Sequence, residues 1–304
     1  TGTGAGARGL EFAIFEGTSP TGPFTKIRSF TKQDLSRPEA PVVSIEGGKL
    51  FAGPSGVEMI VSTEKGIAYP ESLASFQKPG TGVWSIDRIG AASIESLDSA
   101  TMTEVQSSGE GATLHIKDPV VFDSPTGGTA LMFCSHPFGW SSSNTGLAKR
   151  GEGEGEFVLQ THSVLERGAT WDVACTRVTD RLAVPRVGML AGLPPLSLYF
   201  YDGAECLRSL DENAKAVKRP RGYSCEELGG LAWGWDAEFP KMQRLSVDFP
   251  LFVSPHGTGC SRYVSTLRTQ DGIMATWQQS QFDRSQPLVG NFLDTAAVKS
   301  KLAG

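Results

Sequence analysis

Short runs rich in Val, Ile, Phe, Tyr and Thr, each cut by Gly, Pro, Asn or Asp, leave this chain little to fold into except antiparallel sheet. Such runs occupy 10–16, 58–62, 83–89, 119–122, 130–135, 157–161, 171–178, 196–201, 228–235, 261–267 and 273–279. Helical periodicity is confined to 69–77 and to the tail from Leu293. With 304 residues and 39% hydrophobic content, the chain is long enough to bury a large core and too apolar to stay disordered. The expected class is all-β.

A faint internal echo organises these runs. Gly9-Leu10, Gly146-Leu147 and Gly230-Leu231 each precede a short strand and a turn into another. If the first interval spans two units, each unit is about 60 to 70 residues, enough for four antiparallel strands, the size of a large propeller blade. Blades are expected at 37–110, 111–186, 187–250 and 251–290, with 8–36 supplying the outer strands of a fifth. That fifth is closed either by the C-terminal segment or by upstream sequence. Residues 1–7 read as a flexible Gly/Thr/Ala tract, 8–290 as one domain and 291–304 as a tail. A β-sandwich is the competing architecture.

The net charge of −5 opposes nucleic-acid binding, which needs a basic face. The basic cluster from Lys215 to Arg221 reads as a solvated loop. Five scattered cysteines without a C-x-x-C pair match neither a disulfide framework nor a zinc site, and favour a reducing compartment. No run has the roughly twenty apolar residues of a membrane span. The chain starts at Thr1, so either a presequence has been removed or the sequence is a fragment.

Acids beside prolines open two of the apolar runs: Arg37-Pro38-Glu39-Ala40-Pro41 before Val42-Val43, and Lys117-Asp118-Pro119 before Val120-Val121-Phe122. The first resembles the Glu-Cys-Pro or Glu-Gly-Pro element, and the second the Arg-Asp-Pro element, of the five-bladed propeller glycosidases (the arabinanase, β-xylosidase, invertase and levansucrase superfamily). Leu198 to Gly203, Gly230 to Asp236 and Gly259 to Val264 also resemble blade strands in that group. The resemblance implies a five-bladed β-propeller of four-stranded antiparallel sheets acting on a saccharide. Glu39 would be the general acid and Asp118 the acid that orients it. Asp202 stands in for the third carboxylate, with Asp236 and Asp87 behind it. The motif order is the reverse of the family pattern, and the blade that usually carries the nucleophile or base is incomplete.

Each candidate also has an ordinary reading. Glu39 could pair with Arg37, Asp118 could bond turn amides, and Asp202-Gly203 suits a hairpin turn. His136 and Trp140 lie in an aromatic loop suited to stacking on a sugar, and Tyr201, Arg37 and Arg262 complete the expected substrate contacts. Arg262, in an apolar strand, must meet a carboxylate, with Glu39 or Asp118 as the informative partner. Trp233 and Trp235 share a strand face and read as packing. Glu152, Glu154 and Glu156 read as an exposed hairpin tip. No metal ligand set or organic cofactor is expected, although a structural calcium or water could sit at the axis. Two functions stay open: hydrolysis of a glycosidic bond in a pentose- or fructose-type saccharide, or a catalytically inactive propeller that binds a protein partner as a subunit of a larger complex.

Overall fold

A computed structural model describes residues 9–77, 80–109, 111, 113–136, 142–153, 155–205, 227–283 and 285–303. The basic cluster, Cys206, Cys225, Glu154 and Trp140 lie outside them. Among the described residues the regular structure is almost wholly antiparallel sheet, in two compact units.

The first unit begins with a hairpin of β1 (Glu11–Gly17) and β2 (Phe24–Thr31). A four-stranded sheet follows, β3 (Val42–Gly53), β4 (Gly56–Lys65), β5 (Val83–Ala91) and β6 (Thr103–Ser107), paired in chain order. A second has β7 (His115–Asp123), β8 (Thr129–His136), β9 (Asn144–Arg150) and β10 (Val158–Leu165) in the same order. Strand β4 is buried on both faces, which is why Met59, Ile60 and Val61 at its centre are apolar in succession. Its pleat divides that run between two cores. Met59 and Val61 join Ile14, Phe30, Leu35 and Ile89 on the hairpin side. Ile60 joins Ile86, Ile116, Leu131 and Phe133 against the next sheet.

The second unit holds β11 (Cys175–Ala183), β12 (Leu196–Ala204), β13 (Leu228–Trp235) and the two-residue β14 (Gln243–Arg244) in one sheet. Another contains β15 (Ser261–Arg268), β16 (Gly272–Gln279) and β17 (Leu288–Asp294). Helix α1 (Lys32–Leu35) is a single turn closed by a Thr31–Asp34 capping box, and α2 (Thr295–Lys301) forms the tail. The stretch expected to be helical at 69–77 holds a 3₁₀ helix, Glu71–Phe76.

Four sheets are blade-sized, not five, and only three of them have four strands. Of the expected fifth blade, residues 9–36 supply only the two strands of the β1–β2 hairpin and the single turn of α1, while β17 completes the sheet of β15 and β16 instead of extending that hairpin. The expected boundary near residue 186 also moves, because β11 pairs with β12 and opens the third sheet.

Two of the three Gly-Leu echoes have a packing cause, whereas a methyl on Gly9 would meet nothing. Gly146 and Gly230 both lie on the third strand of their sheets, beneath an aromatic ring from the second strand. A methyl at Gly146 would come within 2.4 Å of the Phe133 ring, and one at Gly230 within 2.5 Å of Tyr201. Trp233 and Trp235 pack edge to face, with ring centroids 5.2 Å apart, as expected of a shared face.

One ion pair is buried at the rim of the first unit. The Arg150 guanidinium, 1% exposed, donates to both oxygens of Glu58 at 2.9 Å and lies over the Phe157 ring. Removing one partner strands a charge in a poorly solvated place, which costs about 3–5 kcal/mol, more than deleting the pair together. Glu58→Ala should therefore lower unfolding stability in urea by that amount, and Glu58→Gln with Arg150→Met should recover a large part of it.

Candidate functional site

The first strand of each blade-sized sheet is bulged against its partner, once in β7, β11 and β15 and twice in β3, where a further slip lies between Val42 and Ser44. The register slips between Glu46 and Gly48 in β3, Lys117 and Val120 in β7, Val178 and Asp180 in β11, and Arg262 and Ser265 in β15. Such bulges bend a strand and re-aim its side chains, and they gather beside functional sites. At three of the four the bulge contains a left-handed residue: Gly47 (φ 64°), Asp118 (φ 55°) and Tyr263 (φ 56°). Asp118 and Tyr263 are the only non-glycine residues with positive φ among the described residues. For a residue with a Cβ that conformation costs of order 1–3 kcal/mol, so neighbouring groups must hold it.

In the first unit Ser62 Oγ, on β4, accepts from the Asp118 amide at 3.3 Å. Strands β3 and β7 lie side by side so closely that a methyl on Gly47 would meet the Asp118 carboxylate at 2.9 Å. Glu46, next to Gly47, accepts from Lys117 Nζ at 2.8 Å, and that ammonium lies 5.6 Å from the Trp84 ring centroid. Two bulges thus bring two carboxylates, Glu46 and Asp118, to one seam with a lysine between the strands. Asp118 is buried, whereas the Glu46 side chain is 37% exposed.

Beneath the seam His115 and His136, paired across β7 and β8, stack with centroids 4.5 Å apart. Cys134 Sγ lies 3.3 Å from His136 Nε2. Burial, then the neighbouring His136 and Lys117, hold the His115 pKa well below the usual histidine range. His136, expected to touch substrate, is therefore a buried stacking partner.

Glu39 and Arg37 belong to a tight turn in which the backbones of Arg37 and Ala40 bond each other at 3.0 and 3.3 Å. Glu39 is exposed at its corner, just before β3. The Arg37 guanidinium donates to the carbonyls of Ser99 and Ser36, so the expected Arg37–Glu39 pair is replaced by backbone capture.

The second unit builds a denser cluster around the β15 bulge. The Tyr263 amide donates to both oxygens of Asp202 at 3.1 and 3.2 Å, and Arg177 donates to the same carboxylate at 2.8 Å. Arg177 also meets Glu227 at 2.8 Å, and Glu227 is bonded in turn by Arg262. Both guanidinium groups lie over the Tyr263 ring, at 4.3 and 5.1 Å. Asp202 is not a hairpin turn, because it lies inside β12 opposite Gly229. It is also fully buried and bonded on both oxygens, so it supplies no surface to a substrate. Tyr201 is buried as well, with its hydroxyl near Asp172 and the Ser246 carbonyl. Arg262 does meet a carboxylate, but it is Glu227 rather than Glu39 or Asp118. Glu227 stands directly before the run 228–235 without the neighbouring proline that drew attention to Glu39 and Asp118, and its partners Arg177 and Arg262 come from distant strands.

Comparison with known proteins follows from this architecture. No family model matches the sequence, and a search of curated proteins returns no match. Among solved structures, a β-1,2-mannobiose phosphorylase from Listeria innocua aligns with 92% of this chain and 65% of its own, at 11% identity and a TM-score of 0.50. An exo-1,5-α-L-arabinanase from a bovine ruminal metagenomic library aligns with 93% of this chain and 89% of its own, at 9% identity and a TM-score of 0.52. The chain shares the β-propeller fold of these structures. An endo-1,4-β-xylanase from Bacteroides thetaiotaomicron agrees, with 93% and 89% coverage, 9% identity and a TM-score of 0.51. At such identities the likeness concerns the fold alone, and the chain spans less than two thirds of the phosphorylase.

The two acids of the denser cluster are pushed in opposite directions from the ordinary carboxyl range. Burial pushes Asp202 up to about 6, with Arg177 opposing and Glu227 reinforcing the rise. Burial also works against the charge on Glu227, but Arg177 and Arg262 outweigh it and hold that carboxyl at about 2. A carboxyl raised above its unfolded value stabilises the fold below the unfolded pKa and loses that contribution as pH climbs through the folded one. The Asp202 contribution should thus fade between about pH 4 and pH 6. Wild type should lose roughly 1–3 kcal/mol relative to Asp202→Asn as pH rises across that window, read from urea unfolding at several pH values. A pH-independent difference would show that folding does not raise the Asp202 pKa.

Proposed function

We propose that this chain, over residues 8–290, is a glycoside-hydrolase-like protein that binds a pentose- or fructose-type saccharide and cleaves its glycosidic bond at the β3–β7 seam. The observation that carries this reading is Asp118, a buried carboxylate held in a left-handed bulge beside a second carboxylate, Glu46. The shared fold with structures whose names specify arabinanase and xylanase activity supports the substrate class. Glycoside hydrolysis needs one carboxyl group to protonate the leaving oxygen and a second to act at the opposite face of the sugar. Asp118 is the central acid here, Glu46 lies beside it and pairs with Lys117, and Glu39, exposed in the turn before β3, is the candidate general acid.

A second reading is an inactive propeller that retains binding. It is favoured by Asp202, the expected third acid, being consumed by Arg177 and the Tyr263 amide.

The test uses 4-nitrophenyl α-L-arabinofuranoside and β-D-xyloside, with sucrose for the fructose class. Asp118→Asn should reduce turnover by at least about a hundredfold, within the range for loss of an acid–base group, while the fold is retained by circular dichroism. Wild-type turnover that survives Asp118→Asn rejects the seam. Calorimetric binding of arabino- or xylo-oligosaccharides without turnover supports the inactive reading, and neither binding nor turnover rejects both.

A further inference from the structure

The second unit contains a cleft that none of the acids reach. It has a volume of about 330 Å³, and its walls come from β12, the segment 251–254, β15 and β16. Phe200 and Phe252 form one side, with centroids 6.0 Å apart, while Trp277 forms another and Val264 and Ala275 complete the apolar lining. No charged residue lines it among the described residues.

Protein interiors close gaps of this kind by relaxing into them, so a persistent one needs props. Here both walls are tied. Phe252 is fixed by reciprocal backbone bonds with Gly229 at 3.0 and 2.9 Å, and a methyl on Gly229 would meet the Phe252 side chain at 2.7 Å. The segment is tied to the other sheet where Ser254 Oγ donates to the Ser280 carbonyl at 2.6 Å. The Trp277 indole is oriented by its N–H donating to Gln279 Oε1 at 3.0 Å. The cleft therefore opens between two braced sheets, and its mouth is apolar: Leu251 is 53% exposed and Val253 is 41% exposed. A preformed apolar site with few polar atoms is the usual form of a small-molecule pocket, and about 300 Å³ is the lower end of their size.

We propose that this cleft binds a small uncharged aromatic ring between the Phe200–Phe252 wall and Trp277. Aromatic walls favour a flat ring through offset or edge-on packing, and the absence of lining charge disfavours an ion. The site is independent of the β3–β7 seam, and its test does not require hydrolytic activity.

The probe is 1-aminoanthracene, titrated into the full chain with excitation of tryptophan and detection of probe emission. Saturable binding with energy transfer is expected, with transfer largely lost in Trp277→Phe. Ala275→Phe, which fills the cleft, and Leu251→Asp, a surface change that places a charge at its mouth, should each weaken binding by about tenfold or more. The anionic 1-anilinonaphthalene-8-sulfonate should bind more weakly than the neutral probe. The proposal is overturned if wild type shows no saturable binding, if transfer is unchanged in Trp277→Phe, or if folded Ala275→Phe binds as wild type does. A rise in Tm for Ala275→Phe together with no wild-type binding would identify the cleft as a packing gap. Should Ala275→Phe fail to fold, Leu251→Asp and Trp277→Phe decide the matter.

Discussion

A backbone amide released from a ladder by a bulge must find another acceptor, and in this protein a neighbouring sheet supplies it. Ser62 on β4 accepts from the Asp118 amide, and Asp202 on β12 accepts from the Tyr263 amide. Both acceptors sit on the second strand of one sheet and capture the first strand of the following one. An unmet buried amide costs about as much as a lost hydrogen bond, so each capture binds sheet to sheet as well as holding a strained residue. Within each unit, the packing and the chemistry thus share the same contacts.

The two captures are chemically unequal. A serine hydroxyl is neutral and needs no compensation. The Asp202 carboxylate does, and the second unit meets that need with two guanidinium groups and a second acid. Removing charges from water is costly, and the cluster is tolerated because nearly every oxygen has a donor. Its alternating charges hold the Tyr263 ring through two guanidinium groups and its backbone through Asp202, which makes the region a rigid platform.

Much of the fold could be read from residues alone because sheet burial leaves a local trace. β13 and β15 were bounded almost as found, since Leu228 to Trp235 and Ser261 to Leu267 are rich in apolar or β-branched residues. β3 was hidden by Gly47-Gly48, which looks like a turn but is a bulge, and β9 by its polar composition, Asn-Thr-Gly-Leu-Ala-Lys-Arg. The two-stranded hairpin was counted as part of a blade because sequence cannot show which edges remain unpaired. Asp118 stood out by its proline and proved to be strained. Glu46 and Glu227 did not, because what distinguishes them is the strand that arrives beside them from far along the chain. Asp202 looked like a turn residue because Asp-Gly carries that local preference, which the pairing with Gly229 overrides.

The bulge residue itself varies among Gly47, Asp118 and Tyr263 while the surrounding pairing keeps the same form. Backbone geometry there is imposed by the flanking ladder and the borrowed acceptor, so the side chain is decoupled from the architecture that displays it. Each first strand is in effect a socket whose plug can be exchanged, and a lineage could alter chemistry at one socket while leaving the frame undisturbed.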